Sequence, residues 1–116
     1  MADAGPRLTF HLTPRAWWEA ADHEAALGAP SLETEGFIHC TDGAAGMVAS
    51  ANRHYAANPA EFVILTVELD RISSPWSVED PARIYPHIFG PIDRAAIVAV
   101  VPAPRDAAGR FLPFAS

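Results

Sequence analysis

Runs of apolar and alternating residues along the chain predict six strands and leave a short seventh open at 111–112. The clearest run, residues 62–68, is apolar at nearly every position, which is typical of a strand covered on both faces. The other runs are short, rich in aromatic and β-branched residues, and end close to proline, glycine or aspartate, which indicates strands that meet turns. They are residues 7–12, 36–41, 76–79, 84–90 and 97–101. Pro86 has no N–H to donate, so 84–90 is expected to be an edge strand or an irregular segment.

Helical signals occur only in the N-terminal half of the chain. A hydroxyl followed by proline starts the first predicted helix, which runs over 14–26 before Gly28, and its core-facing stripe is predicted to be Trp17, Ala21 and Ala25. The second predicted helix spans 44–58 and ends before Pro59. Residues 29–35 show no periodicity and are interpreted as a surface loop. The order β-α-β-α followed by further strands predicts an α+β fold.

Length and charge narrow the function classes. The chain has 116 residues, half of them hydrophobic, which suits one domain over 1–116 with a frayed segment at 1–6. The formal net charge of −6 argues against a nucleic-acid backbone or an anionic membrane as the partner. No apolar run is long enough for a membrane span or a signal sequence, so a cytoplasmic protein is expected. The single cysteine, Cys40, is interpreted as a small buried hydrophobe.

Three of the five histidines stand out by their position on predicted strands. His11, His39 and His87 each alternate with aliphatic residues, so each is expected on the face opposite them, and a shared facing suggests one common cleft. His23 and His54 lie on predicted helices and are interpreted as surface residues. Residues 41–43, Thr-Asp-Gly, are typical of a helix N-terminus, whose free N–H groups favour anions.

Two chemistries remain open for such a cleft. Three imidazoles could hold a divalent metal, although the chain has no short-spaced histidine pair to anchor one. They could instead orient an organic ligand through ring nitrogens and stacking. Glu79 is the carboxylate best placed to join them. Phosphate-binding glycine loops and the nucleophile motif of hydrolases are absent from the sequence.

Four short motifs stand out in the sequence. They are Phe-His-Leu-Thr at 10–13, Glu-Gly-Phe-Ile-His-Cys-Thr at 35–41, Ala-Asn-Arg-His-Tyr at 51–55 and Pro-His-Ile-Phe-Gly-Pro at 86–91. Together they resemble an uncharacterised bacterial domain-of-unknown-function family, over roughly residues 7–113. That family is grouped by fold with the ADP-ribosyltransferases, so the resemblance implies a split, mainly antiparallel sheet, two helices in the N-terminal half, and a cleft that holds NAD in relatives.

The resemblance also implies roles for individual residues. His11 looks like the first-strand histidine that hydrogen-bonds a ribose, His39 is similar to the residue that packs on nicotinamide, and Thr41 is similar to the hydroxyl residue that supports the site. Where the well-known transferases place a glutamate, this sequence has His87, with Glu79 upstream. The predicted catalytic set is therefore His11, His39, His87 and Glu79, and the predicted cofactor-binding set is His11, His39, Thr41, Arg53 and Tyr85.

Three functions follow as hypotheses. The first is an ADP-ribosyl-type enzyme acting on NAD or an NAD-derived group, for which histidine-based RNA 2′-phosphotransferases of the same fold are the closer analogy. The second is a non-catalytic module that binds a nucleotide or another phosphate-bearing metabolite, and the third is a three-histidine metal protein. An imidazole cannot supply the fixed negative charge of a glutamate, so NAD glycohydrolase activity is expected to be weak or absent unless Glu79 points into the cleft.

Overall fold

The computed structural model describes residues 7–115, and the predicted frayed segment 1–6 lies outside them. Two three-stranded antiparallel sheets form the described part of the chain, ordered β1-β3-β6 and β2-β5-β4. The strands are β1 Leu8–Pro14, β2 Ile38–His39, β3 Phe62–Glu68, β4 Trp76–Val78, β5 Pro86–Ile88 and β6 Ile97–Pro102, and the helices are α1 Arg15–Ala20, α2 Pro30–Thr34 and α3 Ala44–Tyr55, with 3₁₀ turns at Leu69–Arg71 and Arg94–Ala96. The predicted α+β class with antiparallel pairing is confirmed.

The two sheets meet at one pair of residues and then diverge. Phe10 N–H donates to the Thr41 carbonyl at 3.0 Å, and Thr41 N–H donates back to the Phe10 carbonyl at 2.8 Å. Beyond this bridge β1 pairs with β3, while the chain from β2 pairs with β5. The main core cluster lies between the diverging sheets and contains apolar side chains from both of them, including Leu65, Ile38 and Ile88.

The central strand β3 is buried on both faces, as its apolar run predicts. Six of its seven residues are buried, because one face packs toward the second sheet and the other toward α3. On the α3 side, Phe10 and Ile64 contact Met47 in a second cluster. The strand β1 is likewise covered on both faces, although its alternation of apolar and polar residues resembles that of a half-exposed strand.

The strand that contains Pro86 is not the edge strand that the sequence predicts. It is the first residue of β5, which lies in the middle of its sheet, and its carbonyl accepts the Cys40 N–H at 3.0 Å. Proline is tolerated at the first residue of a strand because its ring and fixed φ fit extended backbone, while its missing N–H removes one ladder bond only. The expectation of an edge strand is therefore wrong.

The first helix is shorter than predicted. It ends at Ala20, because the Arg94 guanidinium donates to the carbonyls of Asp22 and Ala25 at 2.8 and 2.7 Å and holds the following residues in a turn. Of the predicted core stripe, Ala21 packs against the main core cluster, whereas Trp17 is 39% exposed and Ala25 is exposed, so the prediction is wrong at these two positions. Trp18 packs against the core instead, with the Arg94 guanidinium 4.9 Å from its ring.

The predicted loop at 29–35 contains the helix α2 instead. Pro30 occupies its first turn, where a missing N–H costs nothing, so a helix-start signal was present in the sequence. Within residues 7–115 no helix has both the length and the apolar character that crossing a bilayer demands.

Asn52 of α3 ties the C-terminal segment to the helix. Its Oδ1 accepts the Phe111 N–H at 2.7 Å and its Nδ2 donates to the Phe111 carbonyl at 3.1 Å. Replacing Asn52 with alanine leaves both backbone groups without these partners, so Asn52→Ala is expected to lower the free energy of unfolding by about 2 kcal/mol. Urea denaturation checks this, with the exposed Ala45→Ser as a neutral helix control; an unchanged midpoint would contradict it.

Candidate functional site

An open face on the β2-β5 pair carries most of the predicted site residues. His39 is directly opposite His87 in the ladder, and the register continues from Ile38–Ile88 through the Cys40 N–H bond to Pro86. Side chains alternate along a strand, so every second residue points away from the core. The residues on this side form three cross-strand pairs, here called the histidine face: Phe37 with Phe89, His39 with His87, and Thr41 with Tyr85. The last pair lies next to α3, and Thr41 itself is buried.

The rings of the histidine face contact each other closely. Phe37 stacks on His87, with ring centroids 4.1 Å apart and planes inclined by 15°. His39 meets Phe37 edge-on at 4.8 Å and His87 at 5.7 Å, and Phe89 lies 5.9 Å from Phe37. Phe89 is 43% exposed and His39 is exposed, so the cluster is accessible to a ligand. A large aromatic surface left exposed beside polar residues is typical of a binding site.

The opposite face of the same strands belongs to the core. Ile38 and Ile88 are fully buried there, and Cys40 is 3% exposed. Burial raises the pKa of the Cys40 thiol, with a smaller contribution from the charge of Asp42. The interpretation of Cys40 as a small buried hydrophobe is confirmed, and this thiol is not available as a nucleophile.

Glu79 lies on the same side of the sheet as the histidines. Ser77 of β4 is directly opposite His87, and one residue beyond the last paired position the register brings Glu79 opposite Tyr85. The Ser77 hydroxyl donates to the Glu79 carboxylate at 2.7 Å, which turns the carboxylate toward the His87 row. By alternation along β4, Glu79 belongs to the side of the sheet that carries Ser77 and His87, and its entry into a ligand cleft stays a prediction.

The helix α3 lies next to the Thr41–Tyr85 pair of the histidine face. The Thr41 hydroxyl donates to the Ser50 hydroxyl at 3.4 Å. Hydrogen bonding from Arg53, and then from Ser50, holds the pKa of Tyr85 below its usual value. The carboxylate of Asp80 accepts the Tyr85 N–H at 3.0 Å and fixes that end of β5. Three predicted cofactor-binding residues, Thr41, Arg53 and Tyr85, are thus brought together.

The contact with Glu35 indicates which nitrogen of the His39 ring carries the proton. Its Oε1 lies 3.1 Å from Nε2 of His39, four residues along the chain. A carboxylate accepts hydrogen bonds but does not donate them, so Nε2 carries the proton in this contact. Nδ1 of a neutral His39 is therefore the free acceptor, an arrangement suited to taking a proton from a ligand.

His11 does not share the histidine face. It is 6% exposed and lies next to the core, where it is directly opposite Leu65 in the β1-β3 ladder. Its Nδ1 lies 2.8 Å from the His39 carbonyl, to which it donates, and its Nε2 has no partner among the described residues. Burial lowers the pKa of His11, so the ring is neutral at pH 7. His11 thus touches the site through the main chain of His39.

The other two histidines lie apart from these contacts, and the helix N-cap is Gly43 rather than Thr41. His23 packs edge-on against Trp18 at 5.6 Å, and His54 lies 6.3 Å from Tyr55. Gly43 is the N-cap of α3, without a side-chain cap bond, while Asp42 is paired with Arg7 at 2.8 Å. Within residues 7–115 no group of three or more histidine, cysteine or acidic side chains could hold a metal ion.

Several residues of the site were not predicted from the sequence. Phe37 and Phe89 supply the aromatic surface, and their signal was the same alternation that placed His39 and His87 outward. Ser50 and Ser77 have no such signal, since their roles depend on helix and strand neighbours far along the chain. A depression of about 590 Å³ lies elsewhere, and no predicted site residue lines it. Arg105 in that depression already donates to the carbonyls of Ala60 and Gly109.

The fold and the site define a small α+β protein with two diverging antiparallel sheets and an open histidine-aromatic face. A family model described as "Protein of unknown function (DUF952)" matches residues 12–100, so the chain belongs to this family. No curated protein sequence matches the chain.

Two crystal structures, of protein CC0527 from Caulobacter crescentus and of a double mutant of it, share the fold. Each is 22% identical, with a TM-score of 0.65, and the match covers 91% of this chain and 94% of that one.

Proposed function

We propose that the histidine face binds an NAD-type nucleotide and breaks the bond between its nicotinamide and ribose, as ADP-ribosyl-transferring enzymes and NAD glycohydrolases do. The observation that carries the proposal is the presence of His39, His87 and Glu79 on one open face. The resemblance of the sequence motifs to a family grouped with the ADP-ribosyltransferases supports the same ligand.

The aromatic cluster suits the flat rings of a nucleotide. Phe37 and His87 already stack on each other, and Phe89 adds an exposed ring beside them. A nicotinamide or adenine ring placed on this surface buries apolar area and gains stacking energy of about 1 kcal/mol per ring pair. A neutral imidazole contributes to stacking and also offers a ring nitrogen for hydrogen bonding.

Glu79 supplies the negative charge that the reaction requires. When the C1′–N bond breaks, its electron pair leaves with nicotinamide and positive charge develops on the ribose. The Glu79 carboxylate, held by the Ser77 hydroxyl, stabilises that charge from the edge of the face. An oxygen of water or of an acceptor then bonds to C1′, and its proton passes to Nδ1 of His39, whose Nε2–H is held by Glu35.

Binding without turnover is the second candidate, favoured by the openness of the face. His39 and Phe89 are exposed, and neither of the two depressions lined by Arg15 includes them. Water then competes for the bound nucleotide and weakens electrostatic stabilisation of the transition state. A nucleotide-binding module would use the same aromatic rings for stacking.

Calorimetric titration and nicotinamide release together test the proposal. The protein is expected to bind NAD and ADP-ribose and to release nicotinamide from NAD, measured by chromatography. Glu79→Gln keeps the shape but removes the charge, so it is expected to slow release at least tenfold with little change in affinity, a difference of about 1.4 kcal/mol in the barrier. His39→Ala is expected to lower both the rate of nicotinamide release and the affinity for the nucleotide.

Two exposed residues outside the face provide matched controls. Glu24→Gln and His54→Ala make comparable changes on the surface and are expected to leave binding and release unaltered. Binding with no release from the wild type would establish the module instead of the enzyme. Failure to bind either nucleotide would refute the proposal in both forms.

A further inference from the structure

The two sheets separate directly beyond the bridge between Phe10 and Thr41, and His11 lies at this point. The bridge is isolated. In a continuous antiparallel ladder the next hydrogen-bonded pair would join Leu12 to His39. The His39 carbonyl instead accepts from Nδ1 of the His11 ring at 2.8 Å. The ring reaches farther than a backbone amide does, so one side chain spaces the strands apart and still satisfies the carbonyl.

The other nitrogen of the His11 ring has no hydrogen-bond partner among residues 7–115. Nε2 is buried there, and the Thr9 hydroxyl, two residues earlier on the same face of β1, is buried without a partner as well. The cross-strand neighbour on β3 is Leu65, which is fully buried. A neutral ring tolerates these surroundings at the cost of one unmade hydrogen bond. A protonated ring would place a charge and an unpaired N–H there, which is far more costly.

Within the described part of the chain no carboxylate forms an ion pair with the His11 ring. On the segment that follows β2, burial raises the pKa of the Cys40 thiol, and the Asp42 carboxylate is paired with Arg7 at 2.8 Å. Burial lowers the pKa of His11 more than its bond to His39 raises it, and charge on the His39 ring lowers it further. The side chains that β3 and β5 present toward the space between the sheets are apolar: Val63, Leu65, Val67, Pro86 and Ile88.

We infer that His11 positions His39 and acts as a pH-sensitive switch at the junction of the two sheets. The neutral ring donates to the His39 carbonyl and so fixes the strand whose other side carries the histidine face. Uptake of a proton requires the ring to leave the interior, which breaks this bond and weakens the Phe10–Thr41 bridge beside it. An exposed imidazole binds its proton near pH 6.5, so this opening becomes more favourable as the pH falls below that value.

Amide hydrogen exchange of the free protein, followed by NMR, tests the switch without any ligand. The Phe10 and Thr41 amides report on the junction, and the amides of β3, which is paired on both sides, report on global unfolding. After correction for the intrinsic exchange rate, the opening constant at the junction is expected to rise by about threefold or more from pH 7.0 to pH 5.5, within the limit of about tenfold per pH unit for one proton. It is also expected to exceed that of β3 by about tenfold or more at both pH values. An opening constant that does not change with pH, or that equals the value for β3, would overturn the inference.

Two substitutions at the same position separate the hydrogen bond from the titration. His11→Asn keeps an amide N–H at the place of Nδ1 but binds no proton in this range, so its junction is expected to change by less than about twofold with pH. His11→Leu also lacks the donor, so its junction is expected to open about tenfold more often than that of His11→Asn at pH 7.0. His54→Ala, at an exposed position of α3, is the control and should match the wild type. A pH dependence that persists in His11→Asn would refute the switch, and the wild-type measurement decides alone if either variant does not fold.

Coupling between the switch and the histidine face rests on the proposed function, and ADP-ribose is the probe for it. A ligand that needs His39 in place binds the closed junction, so ligand binding and proton uptake at His11 oppose each other. At about 100 times its dissociation constant, ADP-ribose is expected to slow opening at the Phe10 and Thr41 amides by about tenfold or more. If ADP-ribose binds and exchange at the junction is unchanged, the positioning role is refuted while the proposed function stands. If neither ADP-ribose nor NAD binds, the proposed function fails, and exchange in the free protein alone decides whether the switch exists.

Discussion

Replacing Leu65 with alanine is expected to lower the free energy of unfolding by about 3.5 kcal/mol. Leu65 is fully buried at the middle of β3, where it contributes to the core cluster between the two sheets. Removing its branched side chain forfeits hydrophobic transfer energy and leaves a cavity that flanking strands on both sides keep from collapsing. Urea denaturation of both proteins at pH 7.5 gives the difference.

Leu8→Ala is the matched control, because it makes the same chemical change at an exposed position. Leu8 begins β1 and is 41% exposed, so its truncation is expected to cost less than about 1 kcal/mol. Equal losses for the two variants would mean that the cluster between the sheets does not dominate the stability. If Leu65→Ala proves too unstable to purify, Leu65→Val provides a smaller change, with an expected loss of about 1 kcal/mol.

Replacing His11 with alanine is expected to cost about 3 kcal/mol at pH 7.5. The substitution removes a buried ring from β1 and leaves the His39 carbonyl without the donor that lies 2.8 Å away. His54→Ala, on the exposed side of α3, should change the stability by less than about 0.5 kcal/mol. The same urea experiment measures both.

The loss at His11 is also expected to depend on pH. Burial keeps the folded-state pKa of His11 below its ordinary value of 6.5, so the unfolded chain binds the proton more tightly. Stability from this group is fully present above pH 6.5 and is lost as the pH falls from 6.5 toward the lowered folded-state pKa. His11→Ala lacks this group, so the difference in unfolding free energy between the two proteins should narrow as the pH is lowered from 7.5 to 5.5. A difference that stays constant from pH 7.5 to 5.5 would contradict a neutral buried ring.

The local patterns of the sequence predicted the strands and the outward residues well. The apolar run at 62–68 matches β3 residue for residue, because a strand between two layers must be apolar throughout. Alternation at 37–41 and 85–89 correctly separated the core side chains from the histidine side, since the side-chain period of a strand is fixed by its backbone. Which strands would be neighbours was not predictable from these periods, yet that pairing creates the site.

The position of His11 shows what local patterns miss. Thr9, His11 and Thr13 read as the exposed face of an amphipathic strand, but they are buried because the second sheet covers that side. Similarly, Arg94 ends α1 from a position more than 70 residues away in the sequence. Contacts of this kind depend on the tertiary fold, and intrinsic preferences do not contain them.

Because the Cys40 thiol is buried, the chain is suited to site-specific labelling for spectroscopy. It is the only sulfhydryl in the sequence, and its place behind His39 keeps it protonated and out of reach of water-borne reagents. A cysteine introduced on the surface would thus be the single point at which a fluorophore or spin label attaches. Distances from such a label to the aromatic rings of the histidine face could then be followed in the native chain, with no background substitution.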